Sequence, residues 1–333
     1  MNQISDQIAA ETYADRFAPT VSVLMAVRDV PVSMLEQAIT SVLGQTLDDF
    51  EFLIYRDGGQ DQKVLDTLER YASLDSRIEL HHEPPRGLTR TLNVGLANAH
   101  GRYIARHDAD DWSEPDRFAK QVEFLEQHPE IAVCGSNAWM HQEQGTRLWE
   151  TRFPLEPNKI KDAMQERNPF VHGATMFRTA TARRLGGYCE EFVCSQDYDF
   201  FWRMCDASGG ANLPDPLYHY RYRTGAVSGQ RATDQARVHI ATQALAWARR
   251  IGADADADAA LEEAGRQLRE TPEGLSAQLK QADHRMLAGD YSGALRAYGW
   301  LLASHPISLL AWGKLIRWVV FLAIPPARSL CFR

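Results

Sequence analysis

The sequence has no excess of positive charge: the net charge is −8 at pH 7 over 333 residues. It also has no basic run interleaved with aromatics. A chain of this kind exerts no general pull on a polyanion, so nucleic acid is excluded as an expected partner. Cysteine is scarce. The five cysteines, Cys134, Cys189, Cys194, Cys205 and Cys331, are odd in number and show neither Cys-x-x-Cys spacing nor a His/Cys ligand pattern. They predict reduced thiols rather than a disulfide framework or a zinc site. Long apolar runs are missing as well, since no stretch reaches the ~18 residues needed to cross a bilayer. The first twenty residues carry acidic side chains and no continuous apolar segment, which excludes a secretory signal. Neither G-x-G-x-x-G nor G-x-x-x-x-G-K-[ST] occurs, so the dinucleotide and P-loop fingerprints are absent. These absences predict a cytoplasmic protein.

What is present is enough apolar material for a real core, with hydrophobic residues making up 44% of the chain. Residues 21–27, VSVLMAV, form the short valine-rich run of a strand buried on both faces in a parallel sheet. A helix follows, with Ser33 and Glu36 spaced as a capping box and Leu35, Ala38, Ile39, Val42 and Leu43 at helical intervals up to Gly44. The unit then repeats. FEFLIY (50–55) is a strand, QKVLDTLERYA (62–72) a helix, RIELH a strand, about Thr89 to Ala99 a helix, and RYIAR a fourth strand. Strands alternating with helices predict an α/β fold with a doubly wound, mostly parallel sheet. Ligands bind such sheets at the carboxyl ends of the strands.

The unusual polar residues fall at those ends. Asp57, with Gly58 and Gly59, follows the second strand; Asp108, Asp110 and Asp111 follow the fourth. Crowded carboxylates repel one another unless something positive sits among them. An EF-hand calcium loop requires glycine at its sixth position and glutamate at its twelfth, but Ser113 and Ala119 stand there, so that reading fails. A phosphatase-type aspartate nucleophile lacks a lysine phosphate cradle downstream. Two readings stay open. One is a solvated turn feeding a helix that begins SEPDRF, capped by Ser113 with Pro115 in its first turn. The other is a site for Mg²⁺ or Mn²⁺, which take hard oxygen ligands and complete their shell with substrate phosphates. Asp57-Gly58-Gly59 is by itself ordinary turn chemistry. Arg90 and Arg106 are candidate partners for a phosphate or for the aspartates. His172, His219, Arg221 and Arg223 are candidates to line a ligand site, although a lone histidine more often has a structural role.

From about residue 130 the pattern is mixed. IAVCGSNAW and GATMFR read as strands, SQDYDFFWRMC as a helix and LYHYRYR as a last strand. Beyond about residue 230 the chain becomes alanine-rich and helical, with a turn at Gly289-Asp290 in a stretch that resembles one tetratricopeptide-like unit; such repeats are read from several copies, so plain helical packing is the expectation. The expected organisation is an N-terminal extension (1–19), a main domain (20–231) and a helical C-terminal region (232–333). Residues 309–328, LLAWGKLIRWVVFLAIPPAR, have the composition of an amphipathic helix lying on an anionic membrane or packing on the core.

The segments VSVLMAVRDV, LEQAITSVLGQTLDDFEFLIYRDGG, GLTRTLNVGLANAHGRYIARHDADDWSEPDRFAKQVEFLEQHPEIAVCG, HGATMFR, GGY and QDYDFFWR follow in an order and at spacings that strongly resemble family 2 glycosyltransferases. The resemblance spans about residues 20–229. It implies the GT-A fold and inverting transfer of a sugar from a nucleotide-diphospho-sugar, a UDP-sugar being the expected donor, to a glycan or lipid-linked saccharide acceptor in surface polysaccharide synthesis. It implies Asp57 as the base-contacting acid, with Ala26, Arg28, Arg90, Asp108 and Asp110 also on the donor nucleotide. It places the D-x-D metal element at Asp108 to Asp111, with Asp110 and Asp111 the preferred Mn²⁺ or Mg²⁺ ligands. The acceptor-activating base is Asp197, and Trp112, His172, Gln196 and Arg223 fall on the acceptor or diphosphate side. The chain departs from the family pattern at Arg56, Arg28 and Gln196, where an acid, an aromatic and a glutamate are common. Two other readings are a noncatalytic sugar-nucleotide or glycan binding module with a partner-recruiting helical tail, and a sugar-phosphate nucleotidyltransferase. The first has no need of Asp197, and the second requires an N-terminal Gly/Arg-rich phosphate loop that is absent. A lipid-linked acceptor fits an enzyme held peripherally on the inner face of the membrane.

Overall fold

The computed structural model describes residues 18–223, 232–254, 256–270 and 273–304. Its chain divides into two compact units. One comprises Met1–Gly135, His172–Gly187 and Met204–Ala211; the other comprises Ser136–Val171, Tyr188–Arg203 and Asn212–Arg333.

The first unit is built on strands β1 (Val21–Val27), β2 (Phe50–Asp57), β3 (Ile78–Glu83) and β4 (Tyr103–Arg106), with helices α1 (Val32–Leu43), α2 (Gln62–Leu74) and α3 (Leu88–Asn98) in the crossovers. Apart from half-buried Ala26, β1 is wholly buried, as expected for a strand flanked by parallel neighbours. Its register runs Val21↔Phe50 to Val27↔Arg56 with β2 and Val21↔Tyr103 to Leu24↔Arg106 with β4, and β3 lies parallel to β2 on the far side. Beyond β4 the sheet turns antiparallel: β8 (Met176–Arg178) pairs with β4, and the first residues of β6 (Val133–His141) pair with β8. The sheet is therefore mixed, its parallel half being the one the apolar runs and helices predicted. Leu35, Ala38, Ile39 and Val42 of α1 and Leu92 and Leu96 of α3 are buried with it.

Two glycines bring the backbone unusually close. A Cβ on Gly101 would stand 2.4 Å from the Ser22 backbone nitrogen, and one on Gly95 would stand 2.2 Å from a Leu24 methyl. The loop ahead of β4 is further fixed to β1 because Gly101 N–H donates to Ser22 Oγ at 2.7 Å, and Ser22 Oγ–H donates in turn to Glu51.

Two expected helix starts are corrected. Helix α1 begins at Val32 behind Pro31, with no side-chain cap, so Ser33 lies inside the first turn and makes no capping box. The fixed φ of proline is already suited to a helix entry. Ser113 does not cap the next helix. It belongs to a two-residue strand, β5 (Trp112–Ser113), and α4 (Arg117–Gln127) starts four residues later behind Asp116.

In the second unit, β6 continues and pairs antiparallel with β7 (Arg147–Glu150), and β9 (Gly210–Arg221) joins β6. Helices α5 (Pro157–Ala163) and α7 (Gln196–Ser208) follow in sequence, and α6 (Thr179–Arg184) lies in the first unit. The alanine-rich region forms α8 (Ala232–Arg250), α9 (Ala257–Glu270), α10 (Glu273–Ala288) and α11 (Tyr291–Ser304). Leu279, Ala282, Met286, Ala294, Tyr298 and Leu301 close the α10–α11 pair, which turns at Gly289 with φ 91°. Phe192 and Cys194 pack with Val238, Ala241, Leu245, Leu261 and Ala264 of α8 and α9. Among the described residues no helix is long and apolar enough to cross a membrane. The expected amphipathic segment 309–328, Cys331 and residues 1–17 lie outside the described residues.

Candidate functional site

The parallel register puts the carboxyl ends of β1, β2 and β4 side by side, so Ala26, Asp57 and the turn after Arg106 emerge at one edge. Asp57 is buried, and its carboxylate holds the loop that leads from β3 to α3. Oδ1 accepts from Arg86 N–H at 2.7 Å, and both oxygens accept from Gly87 N–H at 3.2 and 3.1 Å. Gly58 and Gly59, with φ of 68° and 89°, make the sharp turn that follows. Arg56, at the family's usual acidic position, is half-buried and donates to the Gly59 carbonyl at 2.9 Å. Arg28 is exposed beside Asp29, 3.8 Å away, and Arg90 is exposed in the first turn of α3.

The crowding of aspartates after β4 is relieved from within. Arg106 is 1% exposed and pairs with Asp108 Oδ1 at 2.5 Å, while also donating to the carbonyls of Leu24 and His107. Burial pushes the Asp108 carboxyl up, the Arg106 guanidinium pulls it down, and Asp110 pushes it up again. A second buried guanidinium, Arg117, donates to the Arg106 and Thr175 carbonyls at 2.9 and 3.0 Å and to Ser113 Oγ at 3.1 Å. Gln121, one turn on, donates to the carbonyls of Cys134 and Ala174. His107 is fully buried and held neutral. Burial and then the Arg117 charge push its pKa well below the ordinary histidine value, and its Nδ1–H donates to the Asp108 carbonyl at 2.8 Å. His172, in a single 3₁₀ turn (His172–Ala174), is also kept neutral, by burial and by Arg106.

This frame gives the three aspartates different situations. Asp108 is the partner of Arg106, Asp110 is half-buried and Asp111 is 1% exposed, with half-buried Trp112 next along the chain. Among the described residues no group of three or more His, Cys, Asp or Glu side chains could hold a metal by itself. Two adjacent carboxylates nevertheless fit Mg²⁺ or Mn²⁺, which accept one or two protein oxygens and fill the remaining positions with water and phosphate oxygens. The donor set suits that metal class.

In the second unit, Gln196 and Asp197 begin α7. Ser195, just before them, has φ 50° and is the one non-glycine residue with positive φ among the described residues. Such backbone conformations cost energy and cluster where a side chain must be aimed. The two acids of the first turn are treated unlike. Asp199 is 1% exposed and paired with Arg203 at 2.8 Å and Arg249 at 3.2 Å. Half-buried Asp197 instead receives a hydrogen bond from the neutral amide of Asn168, at 2.7 Å. Gln196 is buried, and Arg223 is half-buried with its carbonyl 3.1 Å from His284 Nε2. His219 meets His141, Nδ1 to Nε2, at 3.0 Å.

Of the expected donor residues, Ala26, Asp57, Asp108 and Asp110 thus lie at or just after the strand ends of one sheet edge, Arg28 follows β1 and Arg90 lies in α3, and Gln196, Asp197 and Arg223 belong to the second unit. Sequence reasoning missed His107, Arg117, Gln121 and Asn168. Arg117 and Gln121 carried a faint signal, an i, i+4 pair beside the apolar positions Phe118 and Leu125 of an otherwise charged helix.

A family model described as "Glycosyl transferase family 2" matches residues 22–185. The amylovoran biosynthesis glycosyltransferase AmsE of Erwinia amylovora is 31% identical over 198 residues, 59% of this chain and 74% of the relative. The O-antigen biosynthesis glycosyltransferase WbnJ of Escherichia coli is 31% identical over 209 residues, 62% of this chain and 81% of the relative. The chain is a family 2 glycosyltransferase. Two solved structures share the fold of this glycosyltransferase at 17% identity. One is the mannosyltransferase PcManGT from Pyrobaculum calidifontis in complex with GDP-Man and Mn²⁺, with TM-score 0.55, covering 97% of this chain and 90% of that one. The other is S. aureus TarS 1–349 in complex with UDP-GlcNAc, with TM-score 0.55, covering 84% and 83%. The GT-A expectation is therefore met.

Proposed function

We propose that this glycosyltransferase moves a sugar, with inversion, from a nucleoside-diphosphate donor to a glycan or lipid-linked acceptor in surface polysaccharide synthesis. The observation that carries the donor half is the turn after β4. Adjacent Asp110 and Asp111 bring hard oxygen donors to the carboxyl edge of the parallel sheet there, and Arg106 pairs with Asp108 beside them. Ala26, Arg28, Asp57 and Arg90 are the nucleotide-side residues of this reading, and a UDP-sugar is its first donor. The amylovoran and O-antigen relatives support the polysaccharide assignment. The domain reading is a catalytic domain from 20 to 231 and a helical region from 232 to 333. A peripheral place on the inner membrane face, through segment 309–328, belongs to the same proposal.

Asp110 and Asp111 would hold a Mn²⁺ or Mg²⁺ ion, whose chemistry is to neutralise charge on the departing diphosphate. The rest falls to the chain's own groups. Asp197 accepts the proton of the attacking hydroxyl, and attack from the face opposite the diphosphate inverts the anomeric carbon. Neutral His172 and His107 add no positive charge that would compete with a cation for the carboxylates. His172, Trp112, Gln196 and Arg223 serve the acceptor or diphosphate side.

The test is donor hydrolysis by the full chain with Mn²⁺ across UDP-glucose, UDP-galactose, UDP-N-acetylglucosamine and GDP-mannose. Release of nucleoside diphosphate from one of them, lost in the Asp197→Asn variant, is the expected result. No release from any donor, with or without a saccharide acceptor, would overturn the proposal.

A further inference from the structure

Asn168 is followed by Pro169, and the ring of a proline bars the preceding residue from the helical region, so the chain at Asn168 is held extended. Four further contacts fix the segment and its surroundings. Asn212 Nδ2 donates to the carbonyls of Pro154 and Pro169 at 2.9 and 3.1 Å. The Phe170 ring meets Phe201, from the second turn of α7, edge-on at 5.4 Å between centroids. Tyr198, the neighbour of Asp197, donates its hydroxyl to the Met164 carbonyl. The loop and the start of α7 are thereby tied together on both sides of the Asn168–Asp197 contact.

The orientation of the amide follows from hydrogen-bond chemistry. Phe170 N–H can only donate, and it points at Asn168 Oδ1 across 3.1 Å. The other end of the amide is therefore the NH₂ group, which donates to Asp197 Oδ2 at 2.7 Å. A neutral donor held this way fixes the plane of a carboxylate and occupies one lone pair without neutralising its charge. Asp199, two residues on, is held by two arginines as a structural anchor.

We propose that Asn168 is a positioning residue for Asp197, aiming the carboxylate that takes the acceptor's proton; this rests on the reading of Asp197 given above. Its contribution lies in the chemical step, through orientation, and not in donor binding.

Two variants of the full chain separate this role from a structural one. Asn168→Asp keeps an oxygen to accept from Phe170 N–H but replaces the amide donor with a like charge facing Asp197, whereas Asn168→Ala removes both contacts. Turnover is measured on whichever of UDP-glucose, UDP-galactose, UDP-N-acetylglucosamine or GDP-mannose the wild type hydrolyses, with melting temperature alongside. The expected result is a kcat about 100-fold down for Asn168→Asp and about 10-fold down for Asn168→Ala, with donor KM within about twofold. Near-wild-type turnover by Asn168→Asp would overturn the inference, as would a loss that appears only in donor KM. If Asn168→Asp melts early, the kcat-to-KM split of Asn168→Ala decides alone. An active Asp197→Asn variant removes the base itself, whereas an inactive one beside an active Asn168→Asp removes only the role of Asn168.

Discussion

Arg203 donates its Nε–H to Asp199 Oδ2 across 2.8 Å, one turn along the same helix, and Arg249 takes the other oxygen at 3.2 Å. Two residues earlier, Asp197 accepts from the Asn168 amide. A helix advances 100° per residue, so acids at i and i+2 point to different sides and face different partners.

The two aspartates should therefore fail differently. Asp199→Asn replaces a buried carboxylate held by two arginines and leaves half-buried Arg203 without its counterion, and it is expected to cost about 1–3 kcal/mol of stability. Asp197→Asn keeps an oxygen that can accept from Asn168 Nδ2–H, so it should lower the urea midpoint less than Asp199→Asn and reduce turnover about 100-fold or more. Paired denaturation and hydrolysis measurements check this, and the reverse pattern would reassign the two residues.

His141 predicts an acid-sensitive stability. The Gly145 carbonyl only accepts, so His141 Nδ1 carries the proton and its bare Nε2 accepts from His219 Nδ1–H. Burial pushes the His141 pKa down to about 4, aided by His219, Arg221 and Arg147; His239 and His284 are lowered in the same direction, also chiefly by burial. The unfolded chain, with ordinary histidines near 6.5, binds protons first as pH falls. Stability is therefore complete above about pH 6.5 and lost from there toward pH 4, by up to about 1.4 kcal/mol per pH unit for each such group. Urea midpoints between pH 7.5 and 4.5 should show the decline, and His141→Asn should flatten part of it.

Gly101 predicts a packing defect of known direction. A methyl there meets the Ser22 backbone nitrogen at 2.4 Å, and β1 is locked between two parallel neighbours and cannot yield. Gly101→Ala is expected to destabilise by about 1–3 kcal/mol, read as a lowered melting temperature.

The parallel half of the sheet was legible because its strands are apolar runs and its helices keep a 3.6-residue stripe, as in β1 and α1. Strand β7 and helices α5 and α6, of four, seven and six residues, are too short to show a period, and they were missed. Ser33 and Ser113 looked like caps because their spacing fitted, but a proline entry and a two-residue strand took those places. At the site, the aspartates were readable as residues standing at strand ends. The pairing of Asp108 with Arg106 was not, since it depends on Arg106 being buried, and charged side chains in sequence read as solvated ones. Asn168 lies 29 residues before Asp197 and carries no pattern of its own.

The most direct test of the account is calorimetric titration of UDP and of GDP into the full chain, with and without Mn²⁺, beside the Asp111→Ala variant. Binding of one nucleotide that strengthens at least tenfold with Mn²⁺ in the wild type, and does not respond to Mn²⁺ in the variant, is the result predicted. Nucleotide binding that is equally strong without the ion, or unchanged in Asp111→Ala, would contradict the assignment of the acidic turn to a metal-bridged diphosphate.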